Sequence, residues 1–365
     1  MDSDKSTLSQ TKLFNQHQKL AAKIVEFAGY EMPITYPEGL IAEHKQVRAS
    51  AGLFDVSHMG QIKITGEQAA KFLSIVTPTN IIDLPVAKAA YTVLLTEEAT
   101  IIDDLIINRI SQDQFLLVVN ASNKHEDLAW LEQHAANYNL EINYLADRSL
   151  LALQGPQAAA TLTKILPEQN LTALDYMSIA AANYYDSKLY VTRTGYTGED
   201  GFEISVPNQA AEKLWLDILA ESVVKPIGLA ARDSLRLEMG YPLYGNDLSK
   251  QVNLSEATLK WIITSSEEFI GKNNLKTEIT QRRVGFKLLD KGIARQHMEI
   301  VNEQQQRIGV VTSGGFSPSL EYAIGQACID IAYAKKHTKI FIKVRNNLKA
   351  AEITPLKQLD PSVKN

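Results

Sequence analysis

The chain has 365 residues, 45% of them hydrophobic and 22% charged, with a formal net charge of −5. That is the composition of an ordinary globular protein with room for two or three domains. Its acidic balance argues against a mainly nucleic-acid-binding surface, which would carry a basic patch. The single cysteine, Cys328, excludes an internal disulfide and a cysteine-based metal cluster.

The opening "MDSDKSTLSQ" carries neither a signal-peptide nor a transit-peptide pattern. No apolar run approaches the roughly 20 residues that span a bilayer, and one cysteine fits a reducing compartment. A cytoplasmic protein is expected. Residues 12–28 read as a short helix and then a strand ending at Ala28-Gly29. From Leu40 a helical pattern runs to Gly52, which is expected to cap it. "LFDVSHM" then reads as strand, "QIKIT" (61–65) alternates with period two, and 66–76 reads as helix.

"AAYTVLLTEEATIIDDLIINRISQDQFLLVVN" (89–120) reads as three antiparallel strands joined by polar turns, and 121–135 as an amphipathic helix. Strands are expected again at 141–144, 149–154, 179–185 and 188–193, and helices at 156–166 and 208–222. A loop then leads into a helix within "KPIGLAARDSLRLEMG" (225–240). Beyond Lys272 the pattern changes to short strands separated by Gly, Asn and polar turns, a compact β-barrel or sandwich. The fold class is α+β. The division is placed at 1–275, two interleaved α+β lobes, and 276–365, a C-terminal barrel.

Three stretches could carry chemistry. In "TIIDDLIINR" (100–109) two adjacent aspartates lie between branched aliphatics that favour a half-buried sheet surface. On a regular strand Ile101, Asp103, Leu105 and Ile107 share one face and Ile102, Asp104, Ile106 and Asn108 the other. One aspartate is then held indoors, unless a bulge intervenes. A buried carboxylate must be paired, hydrogen-bonded or set against a cavity, and an Asp bonding loop amides at a strand end would satisfy the pattern as well.

The second, "RTGYTGEDGFEI" (193–204), spaces three glycines without the Gly-Lys-Ser/Thr of a phosphate loop or the strand–glycine–helix order of a dinucleotide site. It is a set of tight turns or a close ligand approach. Glu203 follows, flanked by Phe202 and Ile204. In the third, "GLAARDSLRLEMGYPLYG" (228–245), Arg232 and Arg236 share a helix face. Each could fork onto a substrate carboxylate or pair with a neighbouring acid. The seven histidines form no paired-ligand spacing, no serine-hydrolase elbow is present, and no metal is expected. In "HED" (125–127) the acids are expected to favour the helix N-terminus. Residues alone thus reach an acid-lined cavity in an α+β enzyme.

Nine strings in order over nearly the whole chain resemble the aminomethyltransferase family of the glycine cleavage system, the T-proteins. They are "FAGYEMPITY", "VRASAGLFDVSHMG", "IIDDLI", "LVVNASNKHEDLAW", "LQGPQA", "TRTGYTGEDGFEI", "GLAARDSLRLEMGYPLYGND", "FIGK" and "TSGGFSP". The resemblance implies three lobes around a central folate cavity, the barrel being the third. It implies transfer of a one-carbon unit from the aminomethyl-lipoyl arm of the partner H-protein to tetrahydrofolate as co-substrate, releasing ammonia. No metal, nucleic acid or membrane is implied.

Carried over by motif, Asp104 is the catalytic acid, facing the cavity while Asp103 faces the other side. Glu203 would bond the pterin edge and Arg232 would bind substrate. Tyr91, Met59, Asn120, Tyr196 and Tyr241 would surround the folate. The chain departs from the family at Ala230, where a glycine is usual and backbone freedom was expected to matter. Two alternatives share the resemblance, a related folate-dependent demethylase and a non-enzymatic folate-binding iron–sulfur assembly factor. The latter's Lys-Gly-Cys-Tyr motif is missing around Cys328.

Overall fold

A computed structural model describes residues 8–276, 278–345 and 347–363. The opening stretch whose lack of a targeting pattern was noted above lies largely outside these, as does one residue of the expected domain junction. After α1 (Phe14–Lys19), strands β1 (Lys23–Phe27) and β2 (Tyr30–Thr35) form a hairpin. Helix α2 (Gly39–Ala49) leads into β3 (Ala51–Asp55). Gly52 therefore lies inside a strand and does not cap the helix. A Cβ there would meet Ile227 Cγ1 at 2.5 Å and Val47 Cγ2 at 2.6 Å, so the glycine serves close packing of α2 on the sheet. The strand expected over "LFDVSHM" accordingly starts earlier and stops at Asp55.

Five strands follow as one sheet: β4 (Gly60–Thr65), β5 (Ala89–Leu95), β6 (Ile101–Ser111), β7 (Gln114–Val119) and β8 (Glu141–Tyr144), in the order β5-β6-β7-β4-β8. Helices α3 (Ala69–Val76) and α4 (Lys124–Ala135) cover it. In α3 the buried positions Ala69, Phe72, Leu73 and Val76 follow the i, i+3, i+4, i+7 spacing of a core-facing stripe.

The chain then returns to β3 through β9 (Arg148–Gln154), α5 (Ala158–Ile165), β10 (Ile179–Tyr184), β11 (Ser187–Thr192), β12 (Gly201–Pro207), α6 (Asn208–Leu219) and β13 (Val224–Pro226). These make a six-stranded sheet ordered β10-β11-β12-β9-β3-β13. The five-stranded sheet is inserted between two neighbouring strands of the six-stranded one, which is what interleaves the lobes. Ala211, Leu214, Trp215 and Ile218 of α6 repeat the helical stripe onto this second core.

Helix α7 (Leu229–Glu238) is buried on nearly all sides and packs between α2 and β2 on one hand and the C-terminal part on the other. There β14 (Gln281–Leu288), β15 (Glu299–Val301), β16 (Arg307–Ser317), β17 (Tyr322–Asp330), β18 (Lys339–Val344) and β19 (Asn347–Thr354) close a barrel ordered β14-β17-β16-β15-β18-β19. Closure leaves no free edge. The α+β class with an all-β closing barrel agrees with the reading from sequence. No helix among the described residues is long and apolar enough to cross a membrane.

Candidate functional site

Strand β6 sits between β5 and β7, so both its edges are paired. Strict alternation fails at one point. The β5–β6 register shifts between Leu94 and Leu95, which face Asp103 and Ile101, and Ile102 is the extra residue. A bulge of this kind re-aims side chains. Ile101 packs with Val93 and Leu95, while Ile102 packs with Leu105 and Ile107 in the other core. Asp103 is buried and Asp104 half-buried.

Asp104 accepts from the Tyr91 hydroxyl at 2.9 Å and from Asn120 Nδ2 at 2.8 Å. Asp103 is fully buried and accepts from Asn120 N at 3.0 Å, Asn120 Nδ2 at 2.9 Å and Asn123 Nδ2 at 2.9 Å. One asparagine, at the turn between β7 and α4, therefore holds both acids. Burial pushes the Asp104 carboxyl up to about 7, and the neighbouring Asp103 charge adds to the rise; the bonds from Tyr91 and Asn120 oppose it. Burial and the Asp104 charge likewise raise the Tyr91 phenol.

Across from β6, the glycine-spaced segment after β11 brings in Tyr196. Gly198 has φ +81° and its missing Cβ makes room for Met239 Sδ, while a Cβ on Gly195 would strike Gln154 Oε1 at 1.8 Å. These glycines serve close packing and an αL turn. They set Tyr196, whose hydroxyl donates to the Pro242 carbonyl and whose ring stacks on Tyr241 at 5.8 Å between centroids and 19° between planes. Arg232, in the first turn of α7, lies 4.8 Å over the Tyr196 ring. Burial pulls its guanidinium down, and the facing Glu203 charge opposes this. Glu203 Oε2 accepts from Thr194 Oγ1 at 2.7 Å.

The two arginines separate cleanly. Arg236 donates to Asp233 Oδ1 (2.8 Å), Asp247 Oδ2 (2.8 Å), the Tyr241 carbonyl (3.1 Å) and Ser313 Oγ (2.9 Å). Arg232 Nη1 is buried without any hydrogen-bond partner among the described residues. A guanidinium nitrogen left unmet indoors is costly unless something else accepts from it. The structural reading thus belongs to Arg236, and the free fork to Arg232. Ala230 keeps an ordinary negative φ in the first turn of α7, so the methyl group brings no backbone strain.

Asp104, Glu203, Arg232, Tyr91, Met59, Asn120, Tyr196 and Tyr241 are all half-buried. Seven are linked: Tyr91 and Asn120 bond Asp104, Tyr196 senses both Asp104 and Arg232 and stacks on Tyr241, and Arg232 senses Glu203, while Met59 packs on the apolar cluster that holds Ala231. Each is partly withdrawn from solvent and partly open to it. Two surface pockets, one by Tyr185 and Lys164 and one by Lys45 and Asp360, touch none of them.

Four neighbours escaped the reading from sequence. Tyr176 meets Tyr241 and Glu203. Trp261, 65% exposed, stacks on Tyr91 at 5.8 Å and 19°. Arg283 of the barrel acts on Tyr91 and Tyr196. Asp127 is fully buried against Asp103, where "HED" suggests only acids favouring a helix N-terminus. An exposed-looking polar run in front of a helix gives no sign of which way its residues face.

A raised carboxyl has a thermodynamic consequence. Between about pH 4, where a free Asp ionises, and about 7 the folded protein keeps a proton on Asp104 that the unfolded chain has lost. Stability therefore falls as pH rises through that window. Urea melts at pH 5 and pH 8 should show this fall, and Asp104→Asn should reduce it; an equal fall in both proteins would disprove the assignment.

Two family profiles match the chain: the GCVT N-terminal domain over residues 13–267 and the glycine cleavage T-protein C-terminal barrel domain over 281–360. An aminomethyltransferase of Chlorobaculum parvum is 43% identical over 359 residues, covering 96% of this chain and 98% of the relative. That of Chlorobium phaeovibrioides is 41% identical, covering 98% and 100%. The crystal structure of glycine cleavage system aminomethyltransferase T from Bartonella henselae superposes with a TM-score of 0.94 at 37% identity, covering 98% and 100%.

Proposed function

The chain belongs to the glycine cleavage T-protein family, and from that premise we propose how its residues carry out the reaction. It is an aminomethyltransferase of the glycine cleavage system. The donor in this reading is the aminomethyl group on the lipoyl arm of H-protein, and the acceptor is tetrahydrofolate. We take residues 1–275 as the folate-binding catalytic region and 276–365 as the barrel domain, which has its own apolar core. The single cysteine supports a cytoplasmic setting.

The observation that carries the mechanism is Asp104, a half-buried carboxylate clasped by Tyr91 and Asn120. As the carbon–sulfur bond breaks, sulfur keeps the electron pair and the carbon becomes an iminium. A folate nitrogen then adds to that carbon. A second folate nitrogen displaces ammonia, giving methylene-tetrahydrofolate and the dihydrolipoyl arm. The charge that develops is positive, so a fixed, poorly hydrated carboxylate lowers the barrier where water would have to reorganise. Direct proton abstraction is the lesser role, because a general base must first reach the proton it takes, and the contacts of Asp104 are with Tyr91 and Asn120.

Glu203 offers an acceptor to the amide–amine edge of a pterin, and Arg232 offers an unspent donor fork. The Tyr196–Tyr241 and Tyr91–Trp261 stacks supply flat walls for the ring. Glu203→Ala should weaken tetrahydrofolate binding by about tenfold to a hundredfold, the cost of a charge-assisted hydrogen bond, with the fold retained. Unchanged affinity by calorimetric titration would remove Glu203 from the pterin edge. The reaction itself is tested by ammonia release from aminomethylated H-protein, which should be fast only with tetrahydrofolate present; equal rates without it would refute folate-dependent transfer.

A further inference from the structure

Helix α4 starts with two acids in its first turn, and they have opposite fates. Glu126 is exposed and pairs with Lys250. Asp127 is 0% exposed, and no N–H or O–H of the described residues donates to either of its carboxylate oxygens. What it meets is the Asp103 carboxylate on β6.

Asp103 is already the acceptor of three hydrogen bonds from Asn120 and Asn123. Two bare carboxylates cannot stay ionised in contact away from water. One proton must lie between them, and it belongs on the acid that no other donor serves. We propose that Asp127 is a protonated positioning residue whose O–H donates to Asp103, keeps that carboxylate ionised, and through the shared Asn120 sets the orientation and charge of Asp104.

The chemistry follows from the chain of contacts. Asn120 Nδ2 reaches Asp103 Oδ1 at 2.9 Å, Asp104 Oδ1 at 2.8 Å and the Asp104 carbonyl at 3.1 Å. Its amide can face Asp104 in this way only while Asp103 remains an acceptor. The ionised Asp103 is also the charge that resists loss of the Asp104 proton. The titratable groups that act most strongly on Asp127 are Asp103 and Asp104 on β6 and Glu126 on its own helix, and Asp127 in turn acts on Tyr244 in the segment after α7. None of them is a cation that could hold Asp127 ionised. Burial and the Asp103 charge both favour its neutral form.

The proposal rests on Asp104 as the reacting-centre acid, and the experiment separates the two ideas. Asp127→Leu removes the O–H, so Asp103 takes up a proton and the push on Asp104 is lost. The acid limb of the kcat–pH profile should move down by about one unit, the size of one charge–charge interaction at short range. Asp127→Asn keeps an N–H donor and should restore the limb of the parent protein. A purely structural Asp127 would lower the melting temperature in both variants and leave the limb in place, which overturns the proposal.

Infrared spectra provide the arm that needs neither activity nor a stable leucine variant. At pH 8.5 the parent should show a protonated-carboxyl stretch that Asp127→Asn lacks and Asp104→Asn retains. Retention of that band in Asp127→Asn overturns the shared proton whatever the role of Asp104. Failure of Asp104 in turnover, with the band behaving as expected, would count against the mechanism alone.

Discussion

Replacing Asp104 by asparagine is expected to cut single-turnover formation of methylene-tetrahydrofolate by about a hundredfold to a thousandfold, the usual loss when one preorganised charge-stabilising group is removed. Asn has nearly the same shape and still accepts from Tyr91, so the fold and folate binding should change little. What is lost is the negative charge facing the iminium carbon. The effect should therefore fall on kcat rather than on KM, the signature of an interaction made mainly in the transition state. The site also bears a cost that the substitution relieves. Burial opposes ionisation of Asp104, so at pH 8 the asparagine variant should be at least as stable as the parent. Near-normal turnover would dismiss Asp104 from the chemistry, and a large loss of stability would point to a structural acid.

The largest stability effect is expected at Arg236. It is 1% exposed and joins α7 to Asp247, which is itself buried, and to Ser313 in the barrel. Asp247 also accepts from the Leu243 N–H, Thr312 and Ser313. Arg236→Ala leaves that carboxylate with donors but no countercharge, and empties the space the guanidinium filled. Breaking a buried pair from one side costs about 3–5 kcal/mol. Arg236→Lys should recover only part of this, because an ammonium cannot present the fork that reaches Asp233, Asp247, Ser313 and the Tyr241 carbonyl together. Tyr241 stacks on Tyr196, so the alanine variant should lose turnover as well. A loss under about 1 kcal/mol in urea melts, within the range of an exposed pair, would contradict this role.

The sequence made much of this visible because local patterns decide local structure. β6 was legible from its branched aliphatics, α3 and α6 from their stripes, and the barrel from its short, turn-separated strands. The bulge at Ile102 was not legible, since it depends on how β5 lines up and leaves no mark on β6 alone. Gly52 was misread for a similar reason: a glycine after a helix suggests a cap, but here Ile227 and Val47 demand the small residue from across the fold.

In the candidate site, motif resemblance named eight residues, of which contacts link Asp104, Tyr91, Asn120, Tyr196, Tyr241, Arg232 and Glu203. It did not distinguish a free arginine from a spent one. Arg232 and Arg236 look alike in "ARDSLR", and only the positions of Asp247 and Ser313 separate them. Tyr176, Trp261 and Arg283 lie far from β6 in sequence and reach it through tertiary packing, for which periodicity carries no signal. Asp127 was hidden by its company. It sits in a polar run typical of a solvated helix start, and its burial arises because Asp103 faces α4 across the sheet.

A crystal structure of the protein with tetrahydrofolate is the most direct test of the whole account. It should place the pterin amide–amine edge on Glu203, with the bridging folate nitrogens against the Asp104 carboxylate between Tyr91 and Asn120. Folate seated elsewhere, or seated here with Asp104 turned from those nitrogens, would contradict it.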